Sequence, residues 1–170
     1  TQHTFFNESF MDELAHEAGR DPYDFRMALL KDKPRHRAVL RLAAEKAGYG
    51  GTLREGHAFG LAVQQSFETI VAEVLEVSLD EDNRPRVHKV TCAVDCGRVV
   101  NPRIAESQVH GAALWGLEGA LFGEITIEEG RVAQSNFHDY RVLHLAEAPP
   151  VEVHFVPSTE APSGLGEPGT

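Results

Sequence analysis

Residues 87–121 read VHKVTCAVDCGRVVNPRIAESQVHGAALWGLEGAL. The apolar run from Val87 to Val94 has strand character, Asp95, Cys96 and Gly97 leave it, and Asn101-Pro102 opens a turn. From Ile104 to Leu121 the spacing becomes helical, with small residues at Ala105, Gly111, Ala112, Ala113, Gly116, Gly119 and Ala120. A glycine inside a helix costs about 1 kcal/mol relative to alanine. Three of them predict that a packed sheet or a ligand comes close to that backbone.

Upstream of this stretch, Val71, Leu75, Val77 and Leu79 share one face of an alternating segment that begins near Ala58. The turn-prone Asp80-Glu81-Asp82-Asn83 joins it to the 87–94 run, which predicts a β-hairpin. The first fifty residues read as helices. Phe6, Phe10, Met11, Leu14 and Ala18 form an apolar stripe that ends at Gly19. Asp21-Pro22 supplies an N-cap and a first-turn proline, Asp24 suits the positive end of the helix dipole, and Phe25, Leu29 and Leu30 are expected to face the core until Pro34. A third helix, from about Arg35 to Ala47, carries Val39, Leu40, Leu42, Ala43 and Ala47 and stops at Gly48, with Tyr49-Gly50-Gly51 as a hinge.

Downstream, a second hairpin is expected over Glu124–Glu128 and Arg131–Gln134, turning at Glu129-Gly130. Residues 135–145 are mixed, and Pro150 to Val156 alternates as a strand with Val151, Val153 and Phe155 on one side, until Pro157. Helices followed by hairpins around a small-residue helix make an α+β fold, with a helical segment over 1–50 and an α+β part over 51–170.

Length and charge narrow the function classes. The chain has 170 residues, 42% of them hydrophobic, and a net charge of −10 with scattered basic residues. That is enough for a core, and it disfavours a grip on nucleic acid or anionic lipid. No apolar run is long enough to span a bilayer. Cys92 and Cys96 are too close to staple the domain and lack zinc-type partners, so the compartment, cytoplasmic or periplasmic, stays open. The first residue is not methionine and the last follows Pro-Gly in a glycine-rich stretch. A piece of a longer polypeptide is expected.

Three segments carry candidate chemistry. In Ser163-Gly-Leu-Gly-Glu-Pro-Gly169 the glycines allow close approach and positive φ, and Pro168 restricts Glu167 to extended backbone. One carboxylate is thus offered on a stiff loop, suited to general-base work if burial raises its pKa; the alternative is an ordinary surface turn. In Gln108–Gly119 the glutamine, with Gly111 one turn on, can present an amide to a polar cofactor; the alternative is helix-on-sheet packing. Asp95 and Asn101 are suited to bonding nearby main-chain amides and shaping the loop. His36, His57, His88, His138 and His144 show no helical zinc spacing, and no protein metal ligand is assigned.

Taken in order, Val94-Asp-Cys-Gly with Asn101-Pro102, then Gln108-Val-His-Gly-Ala, then Gly164-Leu-Gly-Glu-Pro resemble the C-terminal part of the molybdenum-binding large subunit of the xanthine dehydrogenase/aldehyde oxidase family. The isoquinoline 1-oxidoreductase beta-subunit type is the nearer match. Phe5-Phe-Asn-Glu-Ser-Phe-Met-Asp-Glu-Leu-Ala15, Gly19-Arg-Asp-Pro-Tyr-Asp-Phe-Arg26 and Gln134-Ser-Asn-Phe-His-Asp-Tyr140 resemble the same branch.

The resemblance implies a molybdenum hydroxylase acting on an N-heteroaromatic or aldehyde substrate with water-derived oxygen. Glu167 would be the base, Gln108 and Gly111 would lie at the cofactor, and the backbone of Gly164 and Gly166 would pass beside it. The implied cofactor is molybdopterin in its cytosine dinucleotide form, with electrons leaving through 2Fe-2S clusters of an iron-sulfur subunit. Further cofactor loops of the large subunit are implied before residue 1, so the 170-residue piece alone is expected to be inactive. A reading from another class is a non-catalytic scaffold or assembly module that keeps the fold.

Overall fold

The computed structural model describes residues 2–170. Three helices come first: α1 (Gln2–Glu17), α2 (Pro22–Leu29) and α3 (Pro34–Ala47). Strands β1 (His57–Ser66), β2 (Thr69–Leu79) and β3 (Pro85–Asp95) follow, then α4 (Pro102–Leu121), the short strands β4 (Ile127–Glu128) and β5 (Arg131–Val132), and β6 (Val151–Phe155). The mixture is the expected α+β arrangement.

Local chemistry sets the helix ends. The Asp21 carboxylate accepts from the main-chain N–H of Tyr23 at 2.8 Å and of Asp24 at 3.1 Å. Pro34 starts α3, and Gly48 ends it in the left-handed region at φ +72°. Asn101 caps α4 by accepting from Ile104 N at 3.2 Å.

The main sheet has the order β1-β2-β3-β6. β1, β2 and β3 form an antiparallel meander, and β6 joins β3 in parallel, with Val90 opposite Val151 and Val94 opposite Phe155. Both faces are covered. On one, Val39, Leu40 and Ala43 of α3 pack with Leu61, Ile70, Ala72, Val74 and Ala93. On the other, Val109 and Ala113 of α4 pack with Val71, Val90, Cys92 and Val94, with Val151, Val153 and Phe155 of β6 alongside. Alternation along β2 therefore sorts apolar residues between two cores, where the sequence pattern predicted a single buried face.

Three further expectations are corrected. The α1 stripe is not core: Phe6 and Phe10 are 60% and 54% exposed, and Ala15 is the buried residue of that helix. On α2, Leu29 is exposed and Arg26 is buried. Its guanidinium donates to the Glu8 carboxylate at 2.9 Å, to Asp12 at 2.6 Å and to the Glu8 carbonyl at 2.9 Å, while Glu8 also accepts from Val63 N at 2.9 Å. A satisfied arginine thus ties α1, α2 and β1 together at a place where periodicity predicts an apolar contact. The second hairpin is shorter than expected, with two-residue strands around Glu129 and Gly130, both at positive φ.

Candidate functional site

After β6 the chain returns across the α4 side of the sheet, and short contacts fix its path. Arg98 N donates to Glu160 O at 3.0 Å, Ser163 N donates to Cys96 O at 3.0 Å, and the Ser163 and Thr69 hydroxyls are hydrogen-bonded at 2.6 Å. A Cβ at Gly97 would lie 2.0 Å from Ala161 O, and one at Gly164 would lie 3.2 Å from Phe67 Cβ. Leu165 packs on the α4-side core. Gln64 donates from its side-chain amide to Pro168 O, and Thr170 N donates to Glu167 O at 3.0 Å, closing a turn over Glu167-Pro168-Gly169. Pro168 and Gly169 are buried.

This path brings two separately predicted segments together. A Cβ on Gly166 would lie 3.9 Å from the Gln108 amide nitrogen. Gln108 is exposed one turn and a half into α4, beside an open depression of about 520 Å³ lined by Asn101, Arg103, Ile104, Ser107 and Gln108. Glu167, next to Gly166, points into the open: its side chain is exposed, so the burial a general base needs is not supplied by the described residues. Gly164 and Gly166 do not adopt positive φ. At Gly164 close approach to Phe67, not left-handed backbone, is what a side chain would obstruct, and at Gly166 a Cβ would make an ordinary contact, although the sequence allowed both close approach and positive φ.

The helix glycines divide. At Gly116 a Cβ would meet the Thr170 backbone at 2.9 Å, which is the predicted close approach. At Gly111 and Gly119 it would meet nothing within 4 Å. Gly111 therefore leaves an exposed notch on α4 one turn beyond Gln108.

Asp95 has the structural role expected of it. It is buried, accepts from Arg35 Nε at 2.7 Å and from Gly97 N at 3.1 Å, and the Arg35 guanidinium holds its carboxyl below the usual carboxylate range. Among the described residues no group of three or more His, Cys, Asp or Glu is placed to hold a metal ion. His57 and His88 stack at 4.2 Å between ring centres, His57 at the end of β1 away from Gln64.

One residue of this region escaped the sequence reading. Glu73, in the middle of β2, lies under Gly169, whose Cβ would be 3.1 Å from the Glu73 carboxylate oxygen. Its signal was a lone acid inside the otherwise apolar run Ile70-Val-Ala-Glu-Val-Leu75.

The sequence profile described as Molybdopterin cofactor-binding domain matches residues 12–149. The chain is 36% identical to isoquinoline 1-oxidoreductase subunit beta of Brevundimonas diminuta over 97% of its own length and 22% of that protein's. It is 37% identical to a membrane-bound aldehyde dehydrogenase (pyrroloquinoline-quinone) of Gluconacetobacter polyoxogenes, over 96% of its own length and 24% of the relative's. The chain thus spans about a quarter of these curated relatives. Among solved structures, the CO dehydrogenase from Oligotropha carboxidovorans superposes with a TM-score of 0.54 at 26% identity, over 59% of this chain and 14% of that one. The quinoline 2-oxidoreductase of Pseudomonas putida 86 gives the same TM-score at 20% identity over 58% of this chain and 13% of that one, which speaks for the fold alone. A profile match across most of the chain, together with relatives aligned almost end to end, means that the chain belongs to the molybdopterin cofactor-binding domain family, as the ordered Gln108 and Gly164-Leu-Gly-Glu-Pro segments led us to expect.

Proposed function

We propose that this chain forms one wall of the molybdenum-cofactor site of an oxidoreductase that hydroxylates an N-heteroaromatic or aldehyde substrate, with Glu167 as its general base. The observation that carries the reading is the approach of the Gln108 amide to Gly166, which sets a hydrogen-bonding side chain beside the residue that precedes Glu167. The residues present fit a large polar organic group. An exposed amide, an open depression at the start of α4 and the notch at Gly111 offer donors and room, and no side chain fills them. Gln108 would bind such a group through its amide, and the backbone of Gly164 and Gly166 would pass beside it.

A cofactor bound here, in its cytosine dinucleotide form, would supply two-electron redox chemistry for oxygen that derives from water. The protein's own task is then proton handling. Glu167 Oε would accept a proton from the attacking oxygen nucleophile, and the short turn, tied by the Gln64 amide to Pro168 O and by Thr170 N to Glu167 O, fixes the backbone that carries it. Because Glu167 is exposed on this chain, the rest of the large subunit is the element that covers it and excludes water. Electrons would leave through 2Fe-2S clusters of an iron-sulfur subunit.

The test is Glu167→Gln in the intact enzyme, assayed with an N-heterocycle and an aldehyde and analysed for metal. A fall in kcat of roughly 10²- to 10⁴-fold with molybdenum content retained is expected. Near-normal turnover removes Glu167 from the chemistry. Purified parent enzyme that carries pyrroloquinoline quinone and no molybdenum would overturn the cofactor assignment.

A further inference from the structure

Glu73 has an environment that the stability of the sheet does not account for. Its cross-strand neighbours are Ala62 on β1 and Cys92 on β3, so all three side chains share the α4-side face with Val71 and Leu75. An acid in such a place is costly unless it is paired, and an apolar residue of similar size would fill the space at less cost. No cation is paired with it among the described residues: the titratable group that meets it is the Cys92 thiol, which donates to Glu73 Oε1 at 3.4 Å. From α4 the Ala112 methyl approaches the same spot, and from the returning chain comes the Gly169 Cα. The charged group of that returning turn is Glu167.

We propose that Glu73 is a positioning residue for Glu167, its carboxyl group acting as the floor on which the Glu167-Pro168-Gly169 turn rests. A Cβ at Gly169 would sit 3.1 Å from Glu73 Oε1 and 3.4 Å from the Ala112 methyl, so the turn is in contact with the acid on one side and with α4 on the other. The Thr170 N to Glu167 O bond makes the turn a single short unit, and Gln64 holds its Pro168 carbonyl from the β1 side. Whatever moves Gly169 therefore moves the Glu167 backbone two residues away. The inference rests on Glu167 being the base, and it adds the element that sets the height of the base.

Glu73 also gives that floor two states. Burial pushes its pKa up to about 7, with the Cys92 hydrogen bond pulling the other way. The neutral acid packs under the turn. The carboxylate demands more solvation than its half-buried place under Gly169 provides, so the turn loosens as pH rises through neutrality.

The test uses the intact enzyme with Glu73→Gln, Cys92→Ala and Glu167→Gln. Two quantities are followed from pH 6 to 8.5: kcat and KM, and hydrogen exchange of the 163–170 backbone corrected for intrinsic rates. In the wild type, exchange of this segment and loss of kcat should rise together above neutrality. In Glu73→Gln both dependences should flatten, so that the ratio of kcat at pH 8.5 to kcat at pH 6 rises about three- to tenfold over wild type while KM moves less than twofold. Loss of the Cys92 donor should shift both transitions to higher pH. Identical pH profiles in wild type and Glu73→Gln overturn the proposal. If Glu73→Gln does not fold, an unshifted profile in Cys92→Ala overturns it and an upward shift supports it. An active Glu167→Gln enzyme whose 163–170 exchange still responds to Glu73 would overturn the base assignment and leave the floor intact.

Discussion

The two faces of the sheet each hold a carboxylate, Asp95 buried and Glu73 half-buried, and the two are treated in opposite ways. On the α3 side, Asp95 accepts from Arg35 and from the Gly97 main chain, and its pKa is driven down. On the α4 side, Glu73 has a thiol for a partner, and its pKa is driven up to about 7. The surrounding packing differs in the same sense. The α3 face is closed by branched side chains, Val39, Leu40, Ile70 and Val74. The α4 face has branched side chains as well, Val71, Val90, Val94 and Val109, and adds to them a returning backbone whose Thr170 comes close to Gly116 and whose Gly169 comes close to Ala112. One face is built for cohesion. The other keeps main chain close to main chain and leaves polar atoms near a turn that carries an acid, which is how a site is built when a large ligand must share the space.

That contrast can be broken in four places. Leu40→Ala should have the largest effect on stability, a loss of about 2–5 kcal/mol in urea unfolding of the chain, because a wholly buried side chain leaves a cavity at the centre of the α3 face. A loss under 1 kcal/mol would mean that this face is not the cohesive one.

Arg35→Ala comes next, at about 1–3 kcal/mol, since it strands the Asp95 charge; the part-exposed Arg35 keeps the figure below that of a fully buried pair. The sign follows from the lowered pKa. Asp95 contributes above its unfolded value of about 3.8, and the contribution is lost as pH falls through the lower folded value. The variant should therefore converge on wild type in acid.

Glu73→Gln should show the opposite slope. Its folded pKa is raised, so its ionisation costs nothing below about 4.5, and the penalty grows to about 1–3 kcal/mol as pH rises to about 7. The wild type should lose stability relative to the variant across that interval. A gap that does not change with pH would mean that Glu73 is solvated.

The smallest effect is expected at the notch. Gly111→Ala meets no neighbour and should stabilise the chain by about 0.5–1 kcal/mol, like Gly119→Ala, through helix propensity alone. In the intact enzyme the two should part, with Gly111→Ala lowering molybdenum content and Gly119→Ala leaving it unchanged. Equal loading of the two variants would take Gly111 out of the cofactor wall.

Much of the frame was legible because local chemistry decided it. Asp21-Pro22, Gly48 and Asn101-Pro102 mark helix ends by hydrogen bonds and backbone angles that involve near neighbours. What failed depended on distant partners. Nothing local says that Phe6 and Phe10 stay outside, or that Arg26 replaces an apolar contact by gathering Glu8 and Asp12. The β1–β2 connection was missed because it turns at Phe67 and Glu68, two non-glycine residues at positive φ that no turn signature announces. The site was legible in part for the same reason. Gln108 and the Gly164–Pro168 motif stood out as residue types, while Glu73 becomes noticeable only once Gly169 is seen to lie on it.

The parallel pairing of β6 with β3 also sets an order of events during synthesis. A hairpin can zip as it is made, and β1, β2 and β3 can do so in sequence; Val151 must find Val90 after all of α4 and the β4–β5 turn have been made. The strip bearing Glu167 follows directly from β6, so it is laid over a meander and a helix α4 made before it. A slow or faulty docking of those five residues would release a chain with sound helices and an intact meander, and with no organised acid.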